Sequence, residues 1–284
     1  MLRAAMLVLL ILVSALLHAL WNAILKREPD KGVGGVAVLA IATLLAAVTA
    51  LALWASAGRP PFPGDGLAWS AAAGVFEAGY FLTLVRALER APLGVAYTVS
   101  RGVAILAVWP ISAVWLGERA TLVALAGAAL LCVGLAAASV EGRVRSAGLG
   151  VAVACGLFIA GYHLAYKQAL AGGGEPAAVF ALSLAVALPV NFAALGPARR
   201  PQVLAQLRAR PLRLLGAGLV CGGSFLLFLV ALAGGPAGLV LTLRNTSVLF
   251  AVLLAWALGD APTRRQVIGA ALVAVGAALL GLAR

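Results

Sequence analysis

Apolar stretches of about 20 residues follow one another along the chain, separated by short breaks rich in charge, glycine and proline. That length is what a helix needs to cross ~30 Å of hydrocarbon. The pattern predicts spans at 4–25, 33–55, 67–88, 93–116, 122–140, 147–170, 177–195, 214–233, 236–258 and 267–283. One connection is long: 196–213, GPARRPQVLAQLRARPLR, is polar, basic and proline-marked, and it reads as a loop carrying a short interfacial helix. The first stretch resembles a signal peptide, but it runs without a break into LWNAILK and has a partner later in the chain, so it is read as the first span.

Several phrases recur half a chain apart. HALWNAIL at 18–25 parallels HLAYKQAL at 163–170. GYFLTLVRALERAPLG at 79–94 parallels GSFLLFLVALAGGPAG at 223–238 without a gap. LGE at 116–118 answers LGD at 258–260, and GAALLCVG at 127–134 answers GAALVAVG at 269–276. Matches in the same order with nearly constant offset argue for duplication, with one half at 1–141 and the other at 142–284. Each half then holds five spans. Because five is odd, the second copy enters the membrane upside down, which is the inverted-repeat plan of many secondary transporters.

Polar residues inside the spans fall on helical faces. The first span carries Ser14, His18, Trp21 and Asn22 on one face; the third carries Glu77 and Tyr80; the sixth carries Tyr162, His163, Tyr166 and Lys167. The fourth clusters Tyr97, Ser100 and Arg101, and the ninth places Thr242, Arg244 and Asn245 correspondingly. Ionisable groups at this depth cost ~3 kcal/mol or more, so they face partners or a wet cavity. The five faces are expected to line one central cavity that binds substrate. Arg101 and Arg244 offer planar forks for a carboxylate or phosphate. Glu77, the only acid in any span, and His18 and His163 are candidates for a coupling proton. Plainer readings stand beside these: Glu77 paired to Arg101 or Arg244 as glue, histidines bonding backbone carbonyls, Lys167 snorkelling, Arg86 anchoring at the interface, and Trp54, Trp69 and Trp115 forming a belt.

Composition narrows the class. The chain is 64% hydrophobic and 11% charged, too apolar for a soluble domain. Its net charge of +12 sits mostly between spans, which removes nucleic acid as a partner. Thirteen Lys and Arg fall in the gaps after odd-numbered spans and four on the other side, so the positive-inside rule puts those gaps in the cytoplasm and both termini outside. The three cysteines are scattered, with no metal-ligand or disulfide spacing. Neither a P-loop nor HExxH is present, and no metal or cofactor is expected.

HALWNAILK, the entry APLGVAYTVSRG, LGER and GAALLCVG together resemble the ten-helix drug/metabolite transporter superfamily of EamA type. The resemblance covers essentially the whole chain and implies a carrier of small organic metabolites, driven by protons or a gradient or facilitative. Combined with the residues, the expectation is an all-α integral membrane protein, ten transmembrane helices in two inverted five-helix repeats, in the cell membrane. It would export an amino-acid-like, zwitterionic or anionic solute by alternating access, with a proton as candidate coupling ion and a monomer sufficient. The competing classes are an integral-membrane enzyme and a channel.

Overall fold

The computed structural model describes residues 2–57, 62, 64–116, 121–139, 146–235, 237–259 and 262–282. Among them every regular element is a helix: α1 (Leu2–Lys26), α2 (Lys31–Ala57), α3 (Gly66–Arg90), α4 (Leu93–Leu116), α5 (Leu122–Ser139), α6 (Ser146–Ala171), α7 (Pro176–Ala194), α8 (Arg200–Ala209), α9 (Pro211–Gly234), α10 (Ala237–Arg244), α11 (Ser247–Ala257) and α12 (Arg264–Leu282). Six of these, α1, α2, α3, α6, α7 and α9, contain stretches long and apolar enough to cross a membrane. In hydrocarbon each backbone N–H and C=O must find a partner within its own segment, which is why such stretches fold as helices. The chain is a multi-pass membrane protein.

The 196–213 connection carries the expected short helix, α8. One difference from the sequence pattern concerns function. The span expected at 236–258 is not continuous: α10 ends at Arg244, Asn245 and Thr246 form a turn, and α11 starts at Ser247. Hydropathy averaged over the window hides this break, although the polar run Arg244–Asn245–Thr246–Ser247 marks it. Broken helices of this kind place a charged side chain and loosened backbone groups inside a membrane bundle.

Small residues set how closely the helices approach. α5 and α12 pack together and run antiparallel through the repeated phrase. A Cβ on Gly134 would lie 2.7 Å from the carbonyl of Gly269, and one on Gly276 would lie 2.6 Å from the carbonyl of Gly127. α3 and α6 are also antiparallel, with Gly79 against the ring of Phe158 and Gly161 against that of Phe76. The packing partners come in matched sets: α3 packs on α6 and α7, α9 packs on α1 and α2, α4 packs on α6, and α10 and α11 pack on α1. α7 begins with Pro176 in its first turn, and the Glu175 carboxylate accepts hydrogen bonds from the N–H groups of Ala177 (3.0 Å) and Ala178 (2.8 Å).

Candidate functional site

The bundle centre gathers the predicted faces of α1, α3, α4, α6 and α10. Both histidines and all four tyrosines of the chain lie there. His18, Trp21, Asn22, Glu77, Tyr80, Tyr97, Arg101, Tyr162, His163, Tyr166, Arg244 and Asn245 are all buried, none above 8% exposed. The cluster is therefore closed, with side chains packed on one another rather than bordering an open channel. Lys167 is half-buried and makes none of the cluster's hydrogen bonds. Thr242 lies in α10, but its side chain is outside the described residues.

His18 is the hub. Its Nε2 meets Arg101 Nη2 in a short contact and Tyr80 Oη at 3.4 Å. Its Nδ1 meets Arg244 Nη2 at 3.3 Å and Ser224 Oγ at 3.4 Å, and it lies 3.4 Å from the Trp21 indole N–H. Arg244 also donates to Ser14 Oγ at 2.5 Å, and Ser14 donates to the Ser224 carbonyl at 2.6 Å. Aromatic faces support both cations. The Arg244 guanidinium lies 3.9 Å from the Phe228 ring centroid and 5.0 Å from that of Phe225, and Arg101 lies 5.5 Å from that of Tyr97. Contact with a ring offsets part of the cost of holding a guanidinium away from water.

Glu77 does not form the ion pair with Arg101 or Arg244 weighed from the sequence. Its Oε2 instead accepts from Ser183 Oγ at 2.5 Å, and Tyr166 Oη is 2.7 Å from the same hydroxyl. The reason is the approach of α7. A Cβ on Gly74, one turn before Glu77, would lie 2.5 Å from the Ser183 carbonyl and 2.6 Å from Val186 Cβ, so only glycine lets α7 come close enough for its serine to reach the acid. Asn22 and Asn245 spend their amide N–H groups on carbonyls one turn back, those of His18 and Leu241, at 2.8 Å each. His163 joins the site through ring contacts with Tyr162 and Phe228, without a hydrogen bond to His18.

Several buried polar atoms here meet no hydrogen-bonding partner: Arg101 Nη1, Arg244 Nε and Tyr162 Oη on the donor side, Glu77 Oε1 and Asn22 Oδ1 on the acceptor side. Interiors rarely tolerate such groups, and a cluster of them points to a ligand or water. The unpaired guanidinium atoms suit an anionic group, and the unpaired oxygens suit a cationic or N–H-bearing one. Sequence reasoning missed Ser183 and Ser224. Ser224 had a signal, since it occupies the place of Tyr80 in the repeated phrase; Ser183, a lone hydroxyl in an apolar helix, had none. Among the described residues no group of His, Cys, Asp and Glu is arranged to hold a metal ion.

Comparison with known proteins matches a family model described as the EamA-like transporter family twice, at residues 5–140 and 146–282. No match is found among curated proteins. Among solved structures, a crystal structure of a protein at 20% identity and a TM-score of 0.64 covers 98% of this chain and 97% of its own, a likeness of fold alone.

Proposed function

The chain belongs to the EamA-like transporter family, and from that premise we propose that it is a secondary active or facilitative carrier exporting a small amino-acid-like solute, zwitterionic or anionic. One observation carries this reading: residues from both ends of the sequence meet at His18. Tyr80 and Arg101 lie on one side of its ring, Ser224 and Arg244 on the other. Tyr80 and Ser224 hold the same place in the repeated phrases. A site shared in this way is what two inverted halves, 1–141 and 142–284, produce around a pseudo-two-fold axis in the membrane plane. The antiparallel contacts of α5 with α12 and of α3 with α6, and the matched packing partners, support the inversion.

In the proposed cycle the solute's acidic group takes the free N–H positions of Arg101 or of Arg244. An ammonium, where the solute has one, takes Glu77 Oε1 and Asn22 Oδ1. Tyr97, Tyr162, His163 and Tyr166 form the walls. Glu77 carries the coupling proton, since it rests on a neutral hydroxyl rather than a fixed cation, and it releases that proton when a cationic group approaches. The two halves exchange packings to expose the site first to one side and then to the other. The protein works as a monomer in the cell membrane, with both termini outside the cytoplasm.

Counterflow in proteoliposomes tests the reading. A carrier exchanges labelled for unlabelled amino acids or organic acids at a saturable rate; a linear flux indicates a channel, and chemical change of the solute indicates an enzyme. Arg101→Ala and Arg244→Ala are each expected to lower exchange at least tenfold, and normal exchange in both contradicts the site. Glu77→Gln is expected to flatten the pH dependence of exchange, and an unchanged profile removes Glu77 as proton carrier.

A further inference from the structure

We propose that His18 is a positioning residue that holds one of two arginines at a time, leaving the other to take the acidic group of the substrate. The inference rests on the transport reading for its purpose, but its geometry stands by itself. An imidazole that accepts a hydrogen bond has one bare nitrogen and one N–H, whereas a guanidinium has only donors. Three N–H groups face the ring of His18: Arg101 at Nε2, and Arg244 and Trp21 at Nδ1. One lone pair cannot serve both nitrogens.

In each tautomer the ring itself nevertheless has one acceptor for its N–H and at least one donor for its bare nitrogen. With the proton on Nδ1, the ring donates to Ser224 Oγ and accepts from Arg101 at Nε2. Arg244 then faces an N–H and keeps Ser14 Oγ and the Ser224 carbonyl. With the proton on Nε2, the ring donates to Tyr80 Oη and accepts from Arg244 and Trp21 at Nδ1. Arg101 then keeps its contact with the Tyr97 side chain. A ring protonated at both nitrogens would set N–H against N–H on both sides.

The partners divide by half. Tyr80 and Arg101 serve one nitrogen; Ser224, the repeat partner of Tyr80, and Arg244 serve the other. The other charged or titratable groups nearby do not compete for the ring, since Glu77 is engaged by Ser183 and His163 by aromatic rings. Whichever guanidinium the ring releases already has a second free nitrogen atom, Nη1 on Arg101 or Nε on Arg244, and so can present two donors to a carboxylate or phosphate. A ring proton that moves from one nitrogen to the other thus transfers the anion-binding role from one half to the other.

Solid-state NMR of the ring nitrogens tests this in the full chain reconstituted in lipid. There are two histidines, so His163→Gln leaves His18 as the sole signal. In that background His18 is expected to show one protonated and one bare nitrogen; two protonated nitrogens overturn the proposal even where neither arginine variant folds. In that background Arg101→Gln is expected to place the proton on Nε2, and Arg244→Gln on Nδ1. The same tautomer in both variants overturns it too. A protein that passes this test but exchanges no solute keeps the role of the ring and loses the transport reading, and the reverse result separates them the other way.

Discussion

The two ends of the bundle are closed by different physics. At the end where α1 finishes, charges hold the turn into α2 against the connection before α9. The Glu28 carboxylate is fully buried, 2.7 Å from Arg213 Nε and 3.7 Å from Arg210 Nη1, and accepts from Gln206 Nε2 at 2.8 Å. Asp30 pairs with Arg199 just outside it. Lys26 ties the same end to α3 by donating to the carbonyls of Leu88 (2.6 Å) and Ala91 (2.8 Å). At the end where α6 finishes and α3 begins, the close contacts among the described residues are between glycine backbones. The turn Gly172–Gly174 lies against Gly66, whose Cβ would sit 3.6 Å from Gly174 Cα, and Gly173 has φ 85°. Glu175, which matches Asp30 in the repeat, caps its own helix and makes no ion pair among the described residues. In the proposed alternating access, opening the first end breaks ion pairs, whereas the described contacts at the other are glycine backbones that part without breaking any. That asymmetry would favour the state closed at the charged end.

Substitutions that spoil one end and spare the other sharpen the contrast. The largest effect is expected from Glu28→Ala, which leaves Arg210 and Arg213 without their acid. Breaking a buried pair costs ~3–5 kcal/mol. Both arginines are more than a third exposed and partly regain water, so about 2–3 kcal/mol is expected, read as a lowered unfolding midpoint in detergent. The charge swap Glu28→Arg with Arg213→Glu is expected to recover part of it. Gly174→Ala attacks the other end. Its Cβ would lie 2.7 Å from Val179 Cγ2 and 2.8 Å from the Ala169 carbonyl, and such overpacking costs about 1–3 kcal/mol. Raising salt is expected to weaken the parent protein and the Gly174→Ala variant alike, mainly through the half-exposed Asp30–Arg199 pair.

The smallest effect concerns Asp30. Partial burial pushes its carboxyl up, but the hydrogen bond from Arg199 and that from the Val33 N–H outweigh this and hold it below the usual carboxylate range. A lowered folded-state value means that the pair stabilises above the ordinary carboxylate value and loses that contribution as pH falls through the folded one. Acid titration of stability is therefore expected to steepen below about pH 4, and Asp30→Asn to remove that part of the slope. For a half-exposed pair the change is below about 1 kcal/mol. A slope that is the same in both proteins contradicts it.

Much of the site was legible because helical spacing is local. His18, Glu77, Tyr80, Arg101 and Arg244 stood out as polar positions on apolar faces, and the repeated phrases aligned the faces with one another. What escaped depended on contacts distant in sequence. Glu28 meets Arg213 across 185 positions, and no periodicity announces the pairing. Ser183 reaches Glu77 because Gly74 admits α7, a fact about backbone approach rather than residue type. The break at Asn245 was hidden by averaging over a window whose ends are apolar.

The carrier reading rests on the proposed opposite orientation of the two halves, and sided labelling tests it most directly. After Cys132, the exposed thiol, is replaced, single cysteines are placed at Arg27, the exposed residue just after α1, and at Ala171, the exposed last residue of α6. In sealed vesicles a membrane-impermeant thiol reagent added outside is expected to label one of them, and the other only after the vesicles are opened. Labelling of both from the same side would contradict the inversion and the carrier built on it.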